Sequence, residues 1–108
     1  MKKAIVINPD GTTETVDLDS GDELSLLQSA VGGYVQAVYL NREITLWCNE
    51  DGKMLGLPVN RTATQLWRTL HPAVTDVLQG VVVVTGGDDG RGDTLAVTSE
   101  TEALLGAL

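Results

Sequence analysis

Phenylalanine is absent from this 108-residue chain, and all aromatic residues together make up only 4% of it. The core must therefore be aliphatic, built from Val, Leu and Ala, with Trp47 and Trp67 as its largest pieces. Hydrophobic residues reach 43%, enough for one core at this length without disulfides or metals. There is no room for a second core, so residues 1–108 are read as a single domain. Cysteine occurs once, as Cys48. No intramolecular disulfide can form, and a thiol at the end of an apolar run is expected to be buried and inert.

Positive charge is scarce as well. Seven basic residues face fifteen acidic ones, a formal net charge of −8. Sequence-independent nucleic-acid binding needs Lys and Arg to neutralise phosphates, so that class is excluded. An anionic membrane surface would repel such a chain. An ordinary solvated acidic surface explains the imbalance better than mimicry of nucleic acid does. Long hydrophobic runs are missing too. The apolar stretch in Met1–Ile7 is too short for a signal peptide, and no segment reaches the length of a membrane span. A cytoplasmic location is expected.

What is present reads as alternating strands and helices. The β-branched run Lys3 to Ile7, the turn Asn8-Pro9-Asp10-Gly11 and the alternating Thr12 to Leu18 predict an N-terminal hairpin. Ser20 with Glu23 forms a capping box for a helix carrying Leu24, Leu27 and Val31, which Gly32-Gly33 ends. Tyr34 to Leu40 and Ile44 to Cys48 read as two further strands. Asn60 caps a second helix through Ala63, Leu66, Trp67 and Leu70, and His71-Pro72 stops it. Four consecutive valines between Gly80 and Thr85 predict a central strand covered on both faces. After a flexible acidic loop, Gly86 to Asp93, come a last strand, Thr94 to Thr98, and a short C-terminal helix capped by Ser99 with Glu102. The expected fold class is α+β: a mixed or largely antiparallel sheet of about five to six strands, packed by two main helices and a short C-terminal one.

No reactive constellation stands out. Asp88 and Asp89 are adjacent rather than alternating, and no distal Glu falls where a calcium loop needs it. Gly86-Gly87 lacks the GxGxxG or Lys-Ser/Thr pattern of a phosphate cradle. The tripeptide Arg91-Gly92-Asp93 is short enough to recur by chance. His71 has no Gly-x-Ser-x-Gly partner and fits a helix end better than a general base. No catalytic residue, metal ligand or cofactor is assigned, and the chain is not expected to be an enzyme.

The candidate binding segment is the polar stretch from Asn49 to Arg61, which links a Trp-containing strand to a Trp-containing helix. A connection this long inside so small a domain is often a binding loop. Asn49, Glu50, Asp51, Lys53, Asn60 and Arg61 are its candidate binding residues, and Trp47 and Trp67 are expected to anchor its ends. The competing reading is structural: Leu55, Leu57 and Pro58 tuck the loop onto the core.

The same segment carries a resemblance. Val31-Gly32-Gly33-Tyr34-Val35, Cys48-Asn49-Glu50-Asp51-Gly52-Lys53 and Gly56-Leu57-Pro58-Val59-Asn60-Arg61-Thr62-Ala63-Thr64 resemble the family catalogued as domain of unknown function 3846. Asp76 to Gly86, with its four valines, and the acidic loop after it are similar as well, so the likeness spans nearly the whole chain. Trp47-Cys48 before Asn49 departs from the family's pattern. Small members occur in actinobacteria and their phages. The resemblance therefore implies a phage or prophage accessory protein of the bacterial cytoplasm, and it brings no activity or site residues.

The expected function is non-catalytic binding of a host macromolecule, with a host protein as partner. The alternative is sequestration of a small ligand, a nucleotide signal of host defence. Tyr34, Tyr39, Trp47 and Trp67 would then stack a base, and Arg42, Lys53 and Arg61 would meet phosphates. A homodimer is a further expectation if the four-valine strand lies at an edge.

Overall fold

A β-branched segment closed by a turn with its own hydrogen bonds starts the fold. The computed structural model describes all of residues 1–108, and strand β1 (Lys3–Ile7) runs into β2 (Thr13–Asp17) as an antiparallel hairpin. In the connecting turn the Asp10 carboxylate accepts from both the backbone and the hydroxyl of Thr12. Helix α1 (Glu23–Val31) follows, then the hairpin β3 (Val35–Tyr39) and β4 (Thr45–Asn49), helix α2 (Arg61–Leu70), β5 (Val82–Thr85) and helix α3 (Ser99–Gly106).

The five strands form one sheet in the order β2-β1-β5-β4-β3, with every neighbouring pair antiparallel. The fold class is α+β, as the patterning implies. Strand β5 lies at the centre, and all four of its residues are buried. Its three valines, Val82 to Val84, fit this position because both faces of the strand need apolar side chains, while Val81 precedes the strand and is partly buried. The homodimer expected from an exposed four-valine edge is thereby ruled out at that strand.

Two cores lie on the two faces of the sheet. On one face Ala4, Val6 and Val83 pack against Leu27 and Val31 of α1. On the other, Ile5, Ile7, Leu46, Val82 and Val84 pack against Ala63 and Leu66 of α2, with Leu104 and Leu105 of α3 alongside. Trp47 joins the first cluster and Trp67 the second, each partly buried. Contrary to expectation neither is a buried core residue; each packs against the edge of a cluster, and the two sit on opposite sides of the sheet. The Trp47 indole N–H donates to the Thr85 hydroxyl at 2.9 Å, which in turn donates to the Gly86 carbonyl.

Several predicted boundaries shift. Asp22 rather than Ser20 caps α1, accepting from the Ser25 backbone N–H and hydroxyl. Thr98 rather than Ser99 caps α3, accepting from the Thr101 N–H. In each case a capping side chain two or one residue away competes successfully because it reaches the orphan N–H three positions on. Gly32 ends α1 at φ 80°, a left-handed conformation that favours glycine. His71 ends α2: its backbone N–H donates to the Trp67 carbonyl, and ring Nε2 donates to the Leu40 carbonyl.

The last predicted strand, Thr94 to Thr98, does not form. This segment is extended but touches the fold through scattered backbone bonds: Leu95 to Gly87 and Gly86 on one side, Val97 to the Lys3 carbonyl on another. Bonds divided between two partners cannot make a ladder, and only an isolated bridge between Asp88 and Thr94 results. The acidic loop is also less free than its glycines imply. Gly86 and Gly87 are buried, and a β-carbon at Gly87 would overlap the Arg42 carbonyl.

Candidate functional site

The connection from β4 to α2 is held at both ends by buried asparagines. Asn49 donates through Nδ2 to the Val31 carbonyl at 3.2 Å and accepts the Asp51 N–H at 2.8 Å. This ties the start of the loop to the end of α1, in the space left by Gly33. Asn60 is fully buried. Its Nδ2 donates to the carbonyls of Ile7 and Gly80, at 2.9 and 3.0 Å, and its Oδ1 accepts the Ala63 N–H as the cap of α2. All three of the Asn60 side-chain hydrogen bonds lie inside the protein, and both asparagines are buried, so Asn49 and Asn60 hold the loop in place. They, and not Trp47 and Trp67, anchor the loop.

Between the anchors the backbone winds through successive turns. Gly52 donates to Asn49, Leu55 to Asp51, Gly56 to Lys53 and Leu57 to Gly52. Leu57 packs so closely against Gly80 that a β-carbon there would collide with its Cδ1, and Gln79 donates to the Leu57 carbonyl. Of the three residues expected to tuck the loop inward, only Leu57 does so. Leu55 and Pro58 are exposed. The tip of this fixed loop presents Met54, 82% exposed, and Leu55, 61% exposed. The polarity of this segment does not by itself point to Met54. The signal available there was an apolar pair flanked by Lys53 and Gly56 within an otherwise polar connection.

Beside the loop lies a cleft of about 180 Å³, floored by Val38, Cys48 and Trp67 and edged by Glu50, Lys53 and Asp76. Lys53 and Asp76 form an ion pair across 23 residues. That bond, aided by the Val77 N–H, holds the Asp76 carboxyl below its usual range. Burial pushes the Cys48 thiol above its ordinary value, which keeps it protonated and a poor nucleophile. Arg61 faces a separate, open depression on α2 with Arg68, Gln65 and Thr69. Of the six candidate residues, the structure thus brings Asn49, Glu50 and Lys53 to one cleft. Asp51 sits in the turn, Asn60 in the core and Arg61 on the neighbouring surface.

Outside this region the Asp88 and Asp89 side chains turn back on the backbone of their own loop. Asp88 accepts from the Gly90 N–H, and Asp89 from those of Arg91 and Asp93. No three His, Cys, Asp or Glu side chains converge on a metal-sized point. No helix is long and apolar enough to cross a membrane.

A family profile described as Domain of unknown function (DUF3846) matches residues 1–107. The chain belongs to this family. Neither a curated protein nor a solved structure matches it. Its blocks of resemblance acquire a physical meaning here. The Asn49-Glu50-Asp51-Gly52 and Gly56-to-Asn60 segments of this DUF3846 chain are the two anchored flanks of the loop, and the exposed pair lies between them.

Proposed function

We propose that this DUF3846 protein is a phage or prophage accessory protein of the bacterial cytoplasm that acts by non-catalytic binding of a host protein. The contact is made by the loop tip, Met54 and Leu55, with Glu50 and Lys53 as its polar rim. One observation carries this reading: two large apolar side chains stand in water on a loop whose backbone is fixed by hydrogen bonds at both ends. A fixed loop loses little conformational freedom on binding, so apolar area buried there converts efficiently into affinity. A polar rim around an apolar centre is the usual build of a protein contact. The phage setting rests on what the resemblance of the sequence blocks implies.

The chemistry of the surroundings favours contact over turnover. The Cys48 thiol is buried and raised, and Lys53 and Asp76 at the cleft are paired with each other. The nucleotide reading gains no such support, because Trp47 and Trp67 lie on opposite faces of the sheet and cannot bracket one base. Affinity capture from host lysate tests the proposal, with wild-type protein compared against the double variant Met54→Asp, Leu55→Asp. A partner retained by the wild type and lost by the variant is expected. Equal recovery by both, or nothing above background with either, would count against it.

A further inference from the structure

We infer that β3 is a self-pairing edge, at which a second copy of this chain joins two sheets into one continuous antiparallel sheet. This surface is separate from the Met54–Leu55 tip and does not depend on the binding function proposed for it.

The two edges of the sheet differ. Strand β2 carries Glu14 and Asp17 within Thr13–Asp17, and charged residues on an edge discourage pairing with another chain. Strand β3 reads Val-Gln-Ala-Val-Tyr and has no charge, proline or bulge. Both tyrosines of the chain lie here, Tyr34 just before the strand and Tyr39 at its end, 71% and 70% exposed. Tyrosine is enriched where proteins meet.

The backbone fixes which groups face outward. The Glu50 N–H donates to the Tyr34 carbonyl and the Leu40 N–H to the Ile44 carbonyl. Even-numbered residues of β3 therefore bond to β4, and Val35, Ala37 and Tyr39 turn their N–H and C=O groups to the free side. A two-fold axis through Ala37 pairs Val35 with Tyr39 of the second copy, Ala37 with itself and Tyr39 with Val35. Every outward group then finds a partner, giving about six new backbone hydrogen bonds.

Charge selects a second copy as the occupant. Residues 41–80 hold four basic side chains, Arg42, Lys53, Arg61 and Arg68, and four acidic ones, Glu43, Glu50, Asp51 and Asp76, so the entire −8 lies elsewhere in the chain. Much of it lies on or next to β1, β2 and the start of α1, at the far side of the sheet. Joining two β3 edges brings the neutral halves together and keeps these acidic poles apart. Association through any other edge would force them toward each other.

Light scattering on the full chain across a hundredfold concentration range tests this. Twice the chain mass of 11.4 kDa is expected at high concentration. Ala37→Asp places two carboxylates opposite each other on the axis and should give a monomer, with an unchanged circular dichroism spectrum. Should Ala37→Asp fail to fold, Ala37→Cys and Gln36→Cys settle the register without disturbing charge. Under oxidant, Ala37→Cys is expected to form a covalent dimer, because a hydrogen-bonded pair places the Cα atoms about 5.5 Å apart, within disulfide reach. Gln36→Cys should not cross-link. A chain that stays monomeric throughout, a dimer indifferent to Ala37→Asp, or equal cross-linking from both cysteine variants overturns the inference.

Discussion

Asn60 and Ile7 are 53 residues apart in the chain, and the Asn60 amide donates to the Ile7 carbonyl at 2.9 Å inside the core. This bond ties the first strand to the first turn of α2. The Asn60 side chain thus serves two purposes, as a helix cap through Oδ1 and as a clamp through Nδ2. Asn60→Ala removes the cap and takes a donor away from two buried carbonyls, a loss of about 3 kcal/mol. Asn60→Asp keeps the capping oxygen but has no donor at neutral pH, so it should destabilise nearly as much. Urea unfolding of the two variants distinguishes a mere cap, for which Asp would be harmless.

Gly87 supplies a second prediction. A β-carbon there would collide with the Arg42 carbonyl, and one at Gly86 would collide with the backbone at Ala96. Gly87→Ala should therefore cost on the order of 2–4 kcal/mol, as backbone must move. Gly90→Ala, where open space surrounds the position but φ is 84°, should cost only about 1 kcal/mol. Thermal unfolding of the pair checks the ranking.

Acid sensitivity follows from the capping carboxylates. The Ser25 hydroxyl and N–H hold Asp22 below its usual range, the Asp19 and Lys2 N–H groups do the same for Asp17, and Thr12 for Asp10. A carboxylate whose folded value is depressed contributes stability that is present above the unfolded value, about 3.9, and is lost as pH falls through the folded one. The melting temperature should stay level from pH 7 to about 5 and fall below about pH 4. Asp22→Asn retains a good cap without the charge and should soften that fall.

Cys48 gives a prediction of reactivity. With the thiol raised by burial, alkylation at pH 8 should be slow in the folded protein and become rapid once the chain is unfolded. Equal rates in the two states would show the thiol to be open to solvent.

Much of the architecture was legible because local rules and the global fold agree. The four valines announced a central strand, Asn60 a cap, and Asn8 to Gly11 a turn, each through side-chain chemistry acting within a few residues. The failures involve partners distant in sequence. Thr94 to Thr98 alternates like a strand, yet its backbone bonds go to two different segments, which no local pattern encodes. At the loop, Asn49 and Asn60 looked like contact residues because they are polar and sit in a connection. Their partners, Val31, Ile7 and Gly80, lie 18 to 53 residues away. Met54 was overlooked for the opposite reason: an apolar side chain is assumed to be inside until the fold shows it in water.

The most direct test of a binding role for the loop tip places a photo-reactive residue at Met54 and, separately, at Leu24, another exposed apolar position on α1. Irradiation in host cells should yield a discrete cross-linked band from position 54 and none from position 24. Bands of equal intensity from both positions, or none from position 54, would contradict a contact centred on that loop.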